Sequence, residues 1–476
     1  MNTNTFNADT ICAVSTPSGV GGIAVIRISG SEALTVSDKL LTNVNFAASI
    51  QEQSPYSVAY RTVYKDNSPI DDVLVSVFLA PHSYTGEDTV EISCHGSIYI
   101  QQEIMRLLII AGARQAEPGE FTMRAFLNGK IDLSQAEAVA DLIASTSEGM
   151  HRLAVNQMRG GFSSELSNLR EQLLDFVSLI ELELDFSDHD DIDFADRTQL
   201  HTLATTIRDR INILAESFAA GNAIKNGIPV AIIGKTNVGK STLLNGLLND
   251  DRAIVSDIPG TTRDTIEEML TVNGQLYRFI DTAGLRDDTT DAIETLGIRR
   301  SFEKAEKASL ILYLFDLTQE DNDQVIELSR WVQRFGKPVL MLGTKNDLAR
   351  RSPVHTVNNV RLIHICCKEQ SDIERVKQYI TEMTSKGQWS AVSGQRSTVS
   401  GQLSNVIVSN LRHYEALLRA GEAIDRVLEG LAANLSGELL SEDIRDCIRH
   451  LGAITGGEIL PNDVLSNIFS KFCIGK

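Results

Sequence analysis

Apolar residues recur at three- and four-residue steps at Leu166, Leu169, Leu173, Val177, Ile180 and Leu184, and again at Leu200, Leu203, Ile207, Ile211, Leu214 and Phe218. Such spacing lines one side of a helix, so the stretch from about residue 134 to 220 is predicted to form long amphipathic helices packed on one another. Upstream, short β-like runs at 20–28, 73–79 and 90–93 alternate with a helix-like stretch at 98–110, which predicts an α+β domain. From about 224 to 384, apolar strands alternate with helices, and Asn273-Gly274 marks a hairpin turn. The polar segment 385–395 marks a boundary, after which helical periodicity resumes from Leu403. No internal repeat of fixed period is present. The economical arrangement is a helical domain interrupted by an α/β domain, its two halves packing together.

One loop in the α/β region carries chemistry. The run Gly234-Lys235-Thr236-Asn237-Val238-Gly239-Lys240-Ser241 follows an apolar strand, 228–233, and leads into a helix-like segment, 242–248. Strand, glycine-rich loop and helix in that order make a phosphate-binding P-loop. Backbone N–H groups point at the phosphates, Lys240 adds a point charge, and Ser241 can offer its hydroxyl to Mg²⁺. Three further stations narrow the nucleotide. Asp281-Thr282-Ala283-Gly284 ends the strand-like run 276–280, where a carboxylate can reach Mg²⁺ through water and a glycine amide can meet the γ-phosphate. Pro259-Gly260-Thr261-Thr262-Arg263-Asp264 lies between, where a switch loop must supply a hydroxyl to the metal. Thr344-Lys345-Asn346-Asp347 follows the strand 339–342, and an aspartate there can accept both N–H donors on the edge of guanine, which adenine lacks. Order and spacing of the four fit a GTP-binding domain.

Composition narrows the setting. At 476 residues the chain is long enough for about three domains, and its 42% apolar share can fill well-buried cores. Cys12, Cys94, Cys366, Cys367, Cys447 and Cys473 show no CxxC pair or metal-ligand spacing, as expected in a reducing compartment. No apolar run is long enough to span a bilayer, and the first residues, MNTNTFNADT, lack the marks of a signal or transit peptide. A cytoplasmic protein with no membrane partner is expected. The net charge of −19 argues against a nonspecific nucleic-acid coat while leaving room for a local basic patch that binds one RNA. The acid-rich stretch 181–196 lacks the glycine and terminal glutamate of an EF-hand loop and reads as a solvated link between helices.

The catalytic apparatus departs from that of Ras-like GTPases, which place a water-orienting glutamine just after Asp-x-x-Gly. Leu285 stands there and cannot hydrogen-bond water. Another residue and another counter-charge are needed. The side-chain oxygen of Asn237 could help hold K⁺ beside the phosphates, doing the work of an arginine finger, with oxygen ligands from residues 259–262 completing the shell. The alternative is that Asn237 simply forms the loop.

Further motifs carry a resemblance over the whole chain. They are Gly19-Val20-Gly21-Gly22-Ile23-Ala24-Val25-Ile26-Arg27-Ile28-Ser29-Gly30, Tyr84-Thr85-Gly86-Glu87-Asp88, His95-Gly96, Pro118-Gly119-Glu120-Phe121, Ala125-Phe126-Leu127-Asn128-Gly129-Lys130-Ile131-Asp132-Leu133 and the terminal Phe472-Cys473-Ile474-Gly475-Lys476. With these the sequence resembles the MnmE (TrmE) family of tRNA modification GTPases. The resemblance implies a multidomain α/β fold. Residues 1–122 would form an α+β N-terminal domain for folate binding and dimerisation, 123–222 and 385–476 a discontinuous helical domain, and 223–384 an inserted Ras-like P-loop GTPase domain.

The resemblance also implies a K⁺-dependent homodimeric GTPase that works with an FAD-containing MnmG-type partner, as a heterotetramer, on C5 of the wobble uridine of certain tRNAs. The carbon would come from 5,10-methylene-tetrahydrofolate or a related folate, and the nitrogen from glycine or ammonium. Ser241 and Thr262 would hold Mg²⁺, and Asn237, Ser256, Ile258 and Thr261 would hold K⁺. GTP would meet Asn237, Val238, Gly239, Lys240, Ser241, Thr242, Ser256, Thr261, Thr262, Asp281, Thr282, Ala283, Gly284, Thr344, Lys345, Asp347, Cys366, Cys367 and Lys368. Glu294, in Ile293-Glu294-Thr295-Leu296-Gly297, would orient water, and Arg27, Glu91, Lys130 and Lys476 would line the folate site. Thr344 stands where the family usually has asparagine, and Cys366-Cys367-Lys368 where Ser-Ala-Lys is common.

Residue chemistry alone leaves some of these open. Arg27 and Lys130 equally suit surface charges, and Glu91 a strand's solvent face. The Cys473 thiolate could add to C6 of uridine, helped by Lys476, or Cys473 could serve as a small hydrophobe. A second class of function is an RNA- or ribosome-binding GTPase switch without modification chemistry, and a third is a GTPase that only scaffolds a dimer. The N-terminal domain and the Cys473 tail favour the modifying enzyme.

Overall fold

The computed structural model describes residues 9–41, 49–66, 68–185, 197–248, 268–280, 305–350, 354–385 and 406–457, with 465, 468, 469, 472 and 475. The chain divides into two compact units, Met1–Ala140 with Gly452–Lys476, and Asp141–Leu451.

The first unit is built on a six-stranded sheet. Its strands are β1 (Ile11–Val14), β2 (Gly21–Ser29), β3 (Val58–Lys65), β4 (Ser68–Phe78), β5 (Thr89–Gly96) and β6 (Arg114–Gln115), in the order β3-β4-β5-β2-β1-β6. Adjacent strands are antiparallel except β1 and β6. Alternation along β4 sends Val73, Val75 and Val77 to a face covered by helices α1 (Ala33–Leu41) and α2 (Ile98–Ala111), where Ile26, Ile28, Ile92, Ile104 and Leu108 complete a dry core. On the opposite face Ile11 and Ala13 lie under Phe121 of α3 (Glu120–Leu127), while Val58, Tyr60, Leu74 and Ile23 stay exposed. Phe469 and Phe472 pack with Leu133 and Ala136 of α4 (Leu133–Ile143), which ties the end of the chain into this unit.

The second unit holds a helical part and a mostly parallel sheet whose two edge strands run antiparallel. The helices are α5 (Glu148–Met158), α6 (Gly161–Asp185), α7 (Arg197–Glu216) and α8 (Phe218–Asn226), joined later by two from the C-terminal part of the chain. The apolar sets that predict α6 and α7 are their buried sides: Leu166, Leu169, Leu173 and Ile180, then Leu200, Ile207, Ile211 and Leu214. Phe218 belongs to α8 rather than to the α7 set. The helix breaks at Ser217, whose hydroxyl donates to Leu214 O and accepts the Val408 N–H at 3.0 Å.

The sheet runs β12-β13-β11-β10-β7-β9-β8. Its strands are β7 (Ile228–Gly234), β8 (Glu268–Val272), β9 (Gln275–Ile280), β10 (Leu310–Asp316), β11 (Val339–Thr344), β12 (Val354–Val357) and β13 (Val360–His364). Every residue of β10 is buried, as expected of a central parallel strand covered on both faces. Helices α9 (Lys240–Leu248), α10 (Asn322–Gln333), α11 (Asn346–Ala349) and α12 (Gln370–Ser385) follow strands of this sheet, with α9 and α12 packing on one face and α10 on the other. Asn273 and Gly274 turn the β8–β9 hairpin with φ of 51° and 77°, the left-handed pair a two-residue turn requires.

Helices α13 (Leu411–Ala432) and α14 (Gly437–Thr455) complete the second part. Periodicity places a helix from Leu403, but α13 begins at Leu411, capped by the Asn410 side chain, because residues 406–410 run in irregular backbone bonded to Ser217 and Gln157. This is the multidomain α/β layout expected from the sequence. Among the described residues no helix is long and apolar enough to cross a membrane, and Cys12, Cys94, Cys366, Cys367 and Cys447 are free thiols.

Candidate nucleotide site and N-terminal ion cluster

Three loops meet at the C-terminal edge of the parallel strands, where open α/β sheets hold ligands. The first follows β7. Asn237 turns it with a φ of 60°, Val238 is buried, and α9 starts at Lys240, so the N–H groups of its first turn face the loop. The Lys240 ammonium donates to Gly234 O at 3.0 Å and Lys235 O at 2.6 Å, which arches the side chain over the loop. Ser241 is half-buried, whereas Asn237 and Thr242 are exposed.

The second loop leaves β11. Thr344 is 1% exposed, and its hydroxyl lies 2.7 Å from Val238 O and 3.0 Å from Phe315 O. Its single proton can serve one carbonyl at a time. Lys345, in left-handed backbone, pairs with Asp316 Oδ2 at 2.7 Å. Burial alone would raise the Asp316 carboxyl, but hydrogen bonds from Lys345 and Thr318 outweigh it and hold the group below its ordinary value. Asp347 is exposed on α11.

The third loop follows β13 and is joined to the second through Asn346 N–H to Ile365 O. Asp372 accepts the Cys366 N–H at 2.7 Å and pairs with Arg375. Cys367 sits beside the P-loop: its Sγ lies 3.6 Å from where a Cβ on Gly239 would be. Burial, then Cys366, pushes its thiol up to about 12, so it stays protonated at neutral pH. Lys368 is exposed.

The structure therefore brings Asn237, Val238, Gly239, Lys240, Ser241 and Thr242 together with Thr344, Lys345, Asp347, Cys366, Cys367 and Lys368. The strand β9, parallel to β7 with Ile280 opposite Ala231, ends one residue before Asp281. Ser256, Ile258, Thr261, Thr262, Asp281, Thr282, Ala283, Gly284 and Glu294 lie outside the described residues, as do Cys473 and Lys476.

In the first unit, Arg27 and Glu91 are register partners on β2 and β5 and form an ion pair at 2.8 Å. The Arg27 guanidinium lies 5.5 Å from the Tyr84 ring centre and 5.7 Å from that of Phe121. Near it runs a partly buried ionic lattice centred on Glu120 and Arg124. Arg124 reaches Glu87 at 3.1 Å and Glu120 at 3.0 Å, Arg114 reaches Glu120 at 2.7 Å, and Glu87 accepts from Ser29 at 2.8 Å. Burial would raise the Glu120 carboxyl, and the bonds from Arg114, the Glu117 backbone and Arg124 together hold it low instead. Lys130 donates to Pro81 O at 2.9 Å. The tail lies at the edge of this sheet: the Ser15 hydroxyl donates to Gly475 O at 3.0 Å, and a Cβ on Gly475 would overlap the Val14 carbonyl.

Comparison with known proteins places this geometry in a family. Residues 10–130 match the model of the GTP-binding protein TrmE N-terminus, and 133–473 match the MnmE helical domain, a span that encloses the P-loop sheet. A tRNA modification GTPase MnmE of Parabacteroides distasonis is 53% identical over 98% of this chain and 100% of its own length. MnmE proteins of Bacteroides fragilis and Flavobacterium johnsoniae are 51% and 47% identical, each over 99% of this chain and 100% of their own length. The chain belongs to the MnmE family of tRNA modification GTPases. Among solved structures, the FeoB G-domain of Methanococcus jannaschii covers 33% of this chain and 96% of its own length at 23% identity, with a TM-score of 0.25.

Several residues at the MnmE N-terminal cluster escape reading from the sequence. Arg27, the segment holding Tyr84 and Glu87, and the segment holding Glu120, Phe121 and Arg124 are separated from one another by tens of residues. Charged residues so spaced carry the pattern of ordinary surface positions. Tyr84, Glu87, Glu120 and Phe121 do stand in the motifs Tyr84-Thr85-Gly86-Glu87 and Pro118-Gly119-Glu120-Phe121, but those motifs say nothing of their meeting around Arg27 and Arg124.

Proposed function

We propose that this chain is a K⁺-activated GTP hydrolase of the cytoplasm. With an FAD-containing MnmG-type partner, it adds an aminomethyl or carboxymethylaminomethyl group to C5 of the wobble uridine of certain tRNAs. The carbon comes from 5,10-methylene-tetrahydrofolate, and the chain acts as a homodimer within a heterotetramer. The observation that carries the reading is full-length similarity to MnmE relatives combined with a P-loop, a Thr344–Asp347 loop and a Cys366–Lys368 loop gathered at one sheet edge.

Lys240 and the first turn of α9 bind the phosphates, and Asp347 selects guanine by accepting its two edge N–H groups. The hydroxyl of Ser241 and the amide oxygen of Asn237 are the hard oxygen donors that Mg²⁺ and K⁺ favour. Thr262 would complete the Mg²⁺ set, and Ser256, Ile258 and Thr261 that of K⁺. These cations, when bound, neutralise charge on the transferring phosphoryl group. Glu294 orients the attacking water. Hydrolysis drives a conformational step that repositions tRNA and partner, while the redox chemistry sits with the partner's flavin. The domain roles follow the boundaries 1–122, 123–222 with 385–476, and 223–384.

Arg27, Glu91, Lys130 and Lys476 hold the folate: a guanidinium already stacked between two rings and paired with a carboxylate offers a planar, charged platform to a pterin and its glutamate tail. Cys473, one residue after Phe472 and two before Gly475, acts at the uridine ring. Nucleoside mass spectrometry of tRNA from cells lacking this protein tests the reading. Loss of the wobble-uridine group, regained on restoring the gene, supports it; unchanged nucleosides favour an RNA- or ribosome-binding switch.

A further inference from the structure

The end of β5 carries a pair that nucleotide chemistry leaves unused. His95 Nδ1 lies 2.6 Å from Asp71 Oδ1, and the His95 backbone N–H donates to Asp71 Oδ2 at 2.8 Å. One carboxylate thus holds both ends of the same residue. The Asp71 side chain is 7% exposed and that of His95 is 70%, so the carboxylate is fixed inside while the ring faces water. In the neutral ring, an Nδ1–H committed to the carboxylate leaves Nε2 as a bare acceptor, and among the described residues nothing hydrogen-bonds it. A base oriented by a buried carboxylate is the arrangement that proton-transfer sites use.

Its place in the sheet gives this pair a task. Glu91, Ser93 and His95 alternate onto one face of β5, with Arg27 opposite Glu91 and Ile23 opposite His95 on β2. At 3.3 Å per residue, His95 stands about 13 Å along the strand from the Arg27–Glu91 pair, on the same open face. The ionisable groups around the ring are Asp71 and Asp72 of β4, with Tyr60 of β3 hydrogen-bonded to Asp72. The neighbour from β2, Ile23, is apolar. Behind β5 the Cys94 thiol, raised to about 11 by burial and then by Asp71, stays neutral.

We propose that His95 is the proton acceptor of this face. An incoming nitrogen donor, ammonium or the α-ammonium of an amino acid, must lose a proton before its nitrogen can attack a one-carbon unit. The N–H bond breaks, its electron pair stays on nitrogen as the attacking lone pair, and the proton becomes Nε2–H of an imidazolium stabilised by Asp71. The inference rests on the proposed modification reaction and assigns a step in it to a named residue.

The test uses the complete system: the full chain, its MnmG-type FAD partner, tRNA, GTP, 5,10-methylene-tetrahydrofolate and ammonium chloride, followed by nucleoside mass spectrometry from acid to mildly alkaline pH. His95→Ala is expected to slow modification by about a hundredfold or more and to lose the acid-side fall in rate. Added imidazole is expected to restore part of that rate, while His95→Gln, which can still donate to Asp71, stays slow. Circular dichroism and thermal unfolding of the full chain serve as the folding control, because the nucleotide loops lie in the other unit. Wild-type modification by His95→Gln, or a His95→Ala defect that imidazole leaves untouched, overturns the assignment. Absence of modification with the unaltered chain overturns the proposed function, and this step with it.

Discussion

The hydroxyl of Thr344 lies 2.7 Å from the carbonyl oxygen of Val238, so the end of β11 is bonded directly to the loop that follows β7. Thr344→Val removes that bond and leaves a buried carbonyl short of a donor, at a cost of about 1–3 kcal/mol. GDP affinity is expected to fall about 5- to 150-fold, with the preference for guanine over adenine that the proposed function gives to Asp347 kept. Thr344→Ser should bind nearly as wild type. Equal GDP affinity in the valine and wild-type proteins, by calorimetry, would show that the bond does not support the loop.

Asn237 stands exposed on the P-loop in left-handed backbone, its amide oxygen available to a cation. GTP turnover is therefore expected to be at least tenfold faster in KCl than in NaCl at equal ionic strength, a gain of about 1.4 kcal/mol in transition-state stabilisation. Asn237→Ala should remove most of that difference. Equal rates in the two salts would end the cation role.

Glu294 takes the water-orienting task in the proposed function, since a leucine at 285 cannot hydrogen-bond water. Glu294→Ala is expected to bind GTP as wild type and hydrolyse it about a hundredfold more slowly, within the usual range for losing an acid–base group. Unchanged single-turnover hydrolysis would move the role to another residue.

The lattice around Glu120 predicts a pH effect on stability. Its folded carboxyl sits below the ordinary value of 4.5, so the stability it contributes is complete above that pH and drains away as pH falls through the lower folded value. Glu120→Gln should destabilise the protein by about 3 kcal/mol at neutral pH, the low end for breaking a buried pair because Glu87 still holds Arg124. The variant should also lose less stability than wild type on acidification. Parallel unfolding curves against pH would contradict this.

Much of this was legible in the chain, and the reasons differ by element. The strand β7, the P-loop and α9 follow from a local pattern in which each residue type is required by its neighbours. The apolar sides of α6 and α7 follow from periodicity. Periodicity failed where a tertiary bond decided: Ser217 ends α7 by bonding Val408, more than 190 residues away, and the same segment delays α13 to Leu411. At the N-terminal cluster, the stacking of Arg27 on Tyr84 and Phe121 and the hold of Asp71 on His95 are products of sheet register, which spacing along the chain does not reveal.

Coupling of GTP hydrolysis to tRNA modification is tested most directly by rebuilding the reaction with the full chain, its FAD partner, tRNA and 5,10-methylene-tetrahydrofolate in KCl, with either GTP or a non-hydrolysable analogue. Modified wobble uridine should form with GTP alone. Cys473→Ser should abolish modification while GTP hydrolysis continues. Equal modification with the analogue, or none with GTP, would contradict the account.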